Sequence, residues 1–429
     1  MRDYAVISRR AMCLVLLVGA FVIGQTPVFV GGRLDAVWSD GSGGVHVQSG
    51  HAVVRLAKGV AGLRPVDDPP RTLAPGLSFF DVLGGRELYV DASEVRVGGS
   101  VGAVPLAQSL LRSAPPGPPV RLPLLLPGEG WVAPARPRFL YASGDAAPRP
   151  LDVPTDGTLE LGWGVGDPLE VGLLVPHLLA RRHPAGVDLI VGTSPHFTLH
   201  PAGGGAPRKL QRPPFDDIDG ILDFPFDMAP LCRDLDGNGK DDLLVADPSA
   251  GAVALYLDLD AETPKPTRVL LVDGLLLAAW ADDFDGDGRT DLVLLRATKP
   301  GLAGQIKVIQ QGLITTETLF YPGLATDGPF PKSPKHRRKL ELAIAIGVQN
   351  EIRQAAFPAL LVPMPGPSLL YVAPDGTTRR LSLEDDTNAE LRRIPAGESL
   401  DGFHAVRSGD GVAFAWVLGR GGRVYWVKD

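Results

Sequence analysis

Apolar runs recur along the chain at a near-constant step, and that step restricts the fold more than any other feature. They open at Asp35 (DAVWSDGSGGVHV), Glu87 (ELYVDASEVRV), Arg138 (RFLYASGDAAPRPL) and Asp188 (DLIVGTSPHFTLH), then at Asp242 (DLLVADPSAGAVALYL), Asp291 (DLVLLRATKPGLAGQIKVI), Pro358 (PALLVPMPGPSLLYV) and Val412 (VAFAWVLGRGGRVYW). The intervals are 52, 51, 50, 54, 49, 67 and 54 residues. A period of about 50 residues is what radial repetition of four-stranded units produces. One such sheet cannot bury both its faces, so neighbours must pack face to face around an axis. The expected fold is therefore all-β, a β-propeller of seven or eight four-stranded blades occupying residues 25–429 as a single domain. Ring closure is expected from the hairpin AFAWVLGRGGRVYWV (413–427) taking up an amino-terminal strand, PVFV (27–30), which leaves no exposed sheet edge.

Composition agrees with short strands joined by turns. The chain carries 52 glycines and 41 prolines with no Gly-x-y period, and 45% of its residues are hydrophobic, enough for a large core. A net charge of −7 argues against nucleic acid as a partner. Residues 1–24 stand apart from the fold. Arg2, Arg9 and Arg10 precede the run AMCLVLLVGAFVIG, whose 14 residues match a secretory leader and fall short of the roughly 20 needed to span a bilayer. An uncleaved amino-terminal anchor is the alternative, and it is the only membrane association expected. Cys13 lies in this segment, so the remainder keeps Cys232 alone and no internal disulfide. An exported protein without disulfides needs another local staple.

Two stretches offer one. In DLDGNGKDDLLVAD (234–247) and DFDGDGRTDLVLL (283–295), oxygen-bearing side chains fall at relative positions 1, 3, 5 and 9, with glycines at 4 and 6. They are Asp234, Asp236, Asn238 and Asp242 in the first loop, and Asp283, Asp285, Asp287 and Asp291 in the second. Position 7, Lys240 or Arg289, can offer only its carbonyl, and its cationic side chain is expected to point away. Hard oxygen ligands in a flexible ring suit Ca²⁺; Mg²⁺ demands a stricter octahedron, and Zn²⁺ would call for Cys or His. An EF-hand needs a bidentate Glu at position 12, where this chain has Val245 and Leu294. By ligand charge, the second loop should bind more tightly than the first.

The pattern D-x-[DN]-G-[DN]-G-x-x-D-[LIV] between strands resembles the FG-GAP/VCBS repeat family, which includes the propeller of integrin α subunits. The residues carrying the resemblance are AWADDFDGDGRTDLVLL (279–295) and LCRDLDGNGKDDLLVAD (231–247), with a decayed copy at AGVDLIVGTS (185–194). In that copy Asp188 keeps the last position, while Ala180, Arg182 and Pro184 replace the other ligands. The resemblance implies calcium loops and an exported propeller that recognises proteins or carbohydrates, as in cell adhesion, or that is fused to enzymes.

Catalytic motifs are missing: no H-E-x-x-H, G-x-S-x-G or phosphate-cradling glycine pattern occurs. His196 and His200 in HFTLH are expected to be surface or turn residues, and Asp216, Asp217 and Asp219 in FDDIDGILDF to form a turn. PFPKSPKHRRKL (329–340) has the character of an inserted, solvated loop, although its basic cluster could hold a polyanion. The resulting expectation is an exported, non-catalytic, calcium-binding propeller that recognises a protein or glycan at the cell surface or in the envelope. A propeller-type polysaccharide hydrolase or lyase is the alternative.

Overall fold

The structure is a computed structural model. It describes strands between Val28 and Lys428, with unbroken stretches at 44–59, 230–248, 250–297, 313–325, 328–343 and 366–398. The leader (1–24) and Asp216, Asp217 and Asp219 lie outside the described residues.

The chain is an all-β propeller. Among the described residues, eight sheets have four or more strands, and one two-stranded ribbon pairs Leu161–Trp163 with Val171–Leu173. In chain order the larger sheets span 36–72, 78–105, 124–154, 177–209, 231–271, 275–343, 361–393 and 400–428. In the first seven, strands pair antiparallel in chain order, except that Arg71–Thr72 of the first sheet pairs back with Ala52–Gly59. The eighth takes its fourth strand from the other end of the chain: Val28–Gly31 pairs with Gly421–Lys428, in the register Val28↔Val424 to Gly31↔Gly421. The closure expected from the 413–427 hairpin is thus present.

The apolar runs explain the packing. Second strands such as Asp291–Ala297 are buried along their whole length, because both faces of the sheet meet a neighbour. One cluster joins the fifth and sixth sheets through Leu244, Val253, Leu292 and Leu294. Another joins the sixth and seventh through Val293, Phe320, Leu342 and Leu369. A third joins the eighth sheet to the first through Ala413, Val424, Val45 and Leu56.

The basic stretch 329–340 departs from its expected form. His336–Ala343 is the outermost strand of the sixth sheet, in register with Leu313–Tyr321, and Leu340 and Leu342 are buried. Apolar residues at alternate positions give this segment a core-facing side, which decides strand over loop.

Candidate metal centres

Both aspartate stretches join the first strand of a sheet to its second. The first loop runs from Arg233, the end of one strand, to Asp242, the start of the next; the other runs from Asp282 to Asp291. Both therefore stand at the same end of adjacent sheets. Gly237 and Gly239 have φ of 76° and 81°, and Gly286 and Gly288 have 80° and 83°. Side chains other than Gly rarely adopt that region, so the sequence fixes these turns by its glycines.

Inside each turn the acids collect backbone amides. Asp234 accepts hydrogen bonds from the amides of Gly237 (2.7 Å), Asn238 (3.1 Å) and Gly239 (2.9 Å). Asp283 likewise accepts from Gly286 (2.8 Å) and Gly288 (3.0 Å). At position 5 the side-chain oxygen accepts from the amide of position 7 at 2.8 Å in both loops, Lys240 to Asn238 and Arg289 to Asp287. At position 9, Asp242 and Asp291 each accept from the residue at position 2, Leu235 or Phe284, at 2.9 Å. Two segments 49 residues apart thus share four of these amide bonds, from positions 4 and 6 to position 1, from 7 to 5 and from 2 to 9.

The oxygens converge differently. Carboxylate oxygens of Asp234, Asp236 and Asp242 lie within 4.8 Å of one another in the first loop, as do those of Asp283, Asp285 and Asp287 in the second. Asp291 instead has both oxygens on amides, those of Phe284, Asp285 and Gly323. Burial raises the Asp242 carboxyl to about 7, helped by the charges of Asp236 and Asp234 and opposed by the Leu235 amide. Burial also raises Asp291, against the amides of Gly323 and Phe284. The first cluster is therefore short of positive charge, which a divalent cation would supply.

The position-7 side chains differ from each other. Lys240 reaches away to Asp260 (2.8 Å), whereas the Arg289 guanidinium folds onto Asp287 and the Gly323 carbonyl (3.1 Å). The expectation that both cations avoid the acids fails for Arg289. Its long side chain can fold back over its own loop, where the 322–335 connection presents an acceptor. His196 and His200 share one face of the strand His196–His200, with Phe197 and Leu199 buried on the other.

Sequence reasoning missed how these turns are tied together. Thr290 Oγ1 donates to the Asp234 carbonyl (2.8 Å), linking one loop to the other. Arg233 bonds the Ala281 carbonyl and Asp282, both at 2.8 Å. Toward the fourth sheet, Asp241 exchanges hydrogen bonds with the Arg182 backbone at 2.8 and 2.9 Å. Toward the seventh, Gly366 donates to the Phe284 carbonyl at 2.9 Å. In the decayed copy a protein cation stands beside the closing acid: Arg181, 2% exposed, bonds Asp188 at 3.1 Å. An arginine seven residues before the retained Asp188 was the available signal.

Gly323 closes tightly over the second loop. A Cβ there would lie 2.7 Å from both Arg289 Cβ and the Thr290 carbonyl oxygen. Gly323→Ala is expected to cost about 1–3 kcal/mol by overpacking, measured by denaturant unfolding. An unchanged midpoint would mean that the 322–335 connection shifts freely.

No family model matches the chain, and no curated protein matches it. Among solved structures, it is similar to a streptogramin B lyase at 10% identity and a TM-score of 0.34, covering 94% of this chain and 97% of that one. It is similar to YCF48 bound to D1 peptide at 9% identity and a TM-score of 0.37, covering 95% and 96%. The WD40 domain of SCAP from fission yeast gives 8% identity and a TM-score of 0.41, covering 94% of each chain.

Proposed function

We propose that this chain is an exported, non-catalytic, calcium-binding propeller of the FG-GAP/VCBS type that recognises a protein or glycan ligand. The observation that carries the reading is the repeated loop: two turns that share four amide bonds at matching positions, each gathering three carboxylates within 4.8 Å. The donor set is all oxygen, which fits Ca²⁺. Asp234, Asp236, Asn238, Asp242 and the Lys240 carbonyl would hold one ion. Asp283, Asp285, Asp287, Asp291 and the Arg289 carbonyl would hold the other. Calcium would supply charge neutralisation there and pin each turn, since the described residues hold no disulfide.

Carboxylate number favours the second loop, but its Arg289 already neutralises Asp287, and Asp291 is taken up by amides. Lys240, by contrast, leaves the first loop uncompensated. The first loop is therefore expected to bind more tightly, which reverses the order that counting acids gives. Calorimetric titration of calcium should show dissociation constants on the order of 10⁻⁴–10⁻³ M. Asp236→Ala should remove the tighter site and Asp285→Ala the weaker, while Arg289→Ala should tighten the second. No heat from the parent protein would overturn the calcium assignment, and turnover of a glycan by the purified chain would overturn the non-catalytic one.

A further inference from the structure

The fifth and sixth sheets leave a cleft of about 220 Å³ at their outer edge. Leu271, Val272 and Asp273 line one side; Arg296, Leu319, Tyr321 and Arg337 of the sixth sheet and Lys332, Ser333 and Pro334 of the 322–335 connection line the rest. The surroundings hold this cleft in shape. Arg268 bonds the Phe330 carbonyl, fastening the connection to the fifth sheet. Arg296 bonds Glu317 (2.9 Å) and the Asp273 carbonyl (2.9 Å), fixing the turn on the opposite wall.

Three basic side chains nearby are already matched, Arg296 by Glu317 among them. Lys335 faces Glu384 (3.9 Å) and Arg338 faces Asp386 (3.6 Å), both toward the seventh sheet. One position along the same strand, Arg337 lines the cleft on the fifth-sheet side, since side chains alternate between faces. Among the described residues, Arg337 and Lys332 have no ion-pair partner, and both are exposed. In a chain of net charge −7, two unmatched cations in one recess indicate a site for an anion.

The rest of the lining narrows its chemistry. Ser333 and Tyr321 add hydroxyls, and the Asp273 carboxylate adds an acceptor. Asp273 has φ of 48°, the one described non-glycine residue in the left-handed region. Leu271 is 76% exposed, an apolar surface standing uncovered beside the charges. A bare inorganic ion would use neither the acceptor nor Leu271. An acidic sugar uses all of them: its anionic group meets Lys332 and Arg337, its hydroxyls meet Asp273 and Ser333, and its C–H face meets Leu271. At about 220 Å³ the cleft is smaller than the roughly 300–1,000 Å³ of pockets for drug-sized ligands, so it suits a single residue of a longer chain.

We propose that this cleft binds an acidic saccharide residue, sulfated or carboxylated. The proposal rests on the ligand-recognition reading above and names its ligand class, independently of calcium. Four probes should be titrated into the full-length protein at low and high salt: a sulfated heparin disaccharide, digalacturonate, cellobiose and a glutamate hexapeptide. At least one charged sugar should bind and weaken with salt, and which one binds tells sulfate from carboxylate. Lys332→Ala and Arg337→Ala should each weaken it by about tenfold or more, the loss of one charge-assisted hydrogen bond. Arg338→Ala, which removes a neighbouring charge pointed elsewhere, should bind as the parent does. Equal binding of cellobiose, tighter binding of the peptide, no binding of any probe, or an equal loss in Arg338→Ala would each overturn the proposal. Parallel calcium titration separates the outcomes: bound sugar with no calcium heat would sink the metal assignment alone.

Discussion

Arg181→Ala is expected to lower stability by about 3–5 kcal/mol, the usual cost of removing one partner from a buried ion pair. Arg181 is 2% exposed, and its side chain bonds Asp188 (3.1 Å), Asp260 (2.6 Å) and the Asp241 carbonyl (3.2 Å). Burial pulls its pKa down, but the hydrogen bond to Asp260 and the charges of Asp260 and Asp188 outweigh that, so the guanidinium stays charged. Without it, Asp188, 4% exposed, loses its buried cation in a place water reaches poorly, although His183 Nε2 still stands 3.2 Å away. Asp260 is half exposed and keeps Lys240, so its share of the loss is small. The double variant Arg181→Met with Asp188→Leu should recover most of the stability, because no charge is then stranded. Denaturant unfolding of the parent, the single and the double variant decides this. A single-variant loss below about 1 kcal/mol would show that Asp188 finds other solvation.

The same residue carries information across sheets. Its Nε bonds the Asp241 carbonyl, next to Asp242 of the first loop, so the fourth sheet braces the turn beside it. Arg181→Ala should then also weaken calcium binding at the first loop and leave the second unchanged. Thr290→Val tests the other side of this chain of contacts, because Thr290 Oγ1 is the donor to Asp234.

Legibility in the sequence followed local chemistry. Where an aspartate loop precedes a strand, as at Asp242 and Asp291, the repeat marked the start of a second strand in its sheet. Without such a loop the phase held at Glu87, Asp188 and Val412, which lie in second strands, and slipped elsewhere: Arg138 opens a third strand, and Asp35 stands just before a first. Those early strands are short and flanked by Gly and Pro, so hydrophobicity located strands without numbering them within the sheet. His336–Ala343 was hidden by its charges, although Leu340 and Leu342 already showed the alternation of a strand. The loops themselves were legible because Asp and Gly spacing determines a turn locally. Arg289 on Asp287, Arg181 on Asp188 and Thr290 on Asp234 were not, because each depends on where a long side chain or the next sheet lies in space.

Leu34→Ala is expected to cost about 2–5 kcal/mol, because it opens a cavity at the seam where the ring closes. Leu34 follows the closing strand Val28–Gly31 and is 2% exposed. It packs with Val37, Val45 and Leu56 of the first sheet and with Ala413, Val424 and Trp426 of the last. Opposite it the last sheet has Gly422, paired with Val30 in the closing register. A Cβ at Gly422 would lie 2.7 Å from Leu34 Cβ and 3.0 Å from its Cδ1, so leucine fits only because glycine faces it. Gly422→Ala alone should therefore cost about 1–3 kcal/mol by overpacking. Leu34→Ala keeps the Cβ but removes Cδ1 and Cγ, 3.0 and 3.2 Å away, so the alanine gains room to yield to the new methyl and the double variant should lose less than the two single losses together. Such coupling is expected only between residues in contact. Strict additivity in denaturant unfolding, or a Leu34→Ala loss below about 1 kcal/mol, would mean that the two ends of the chain are joined by strand pairing alone and that the core does not extend across the seam.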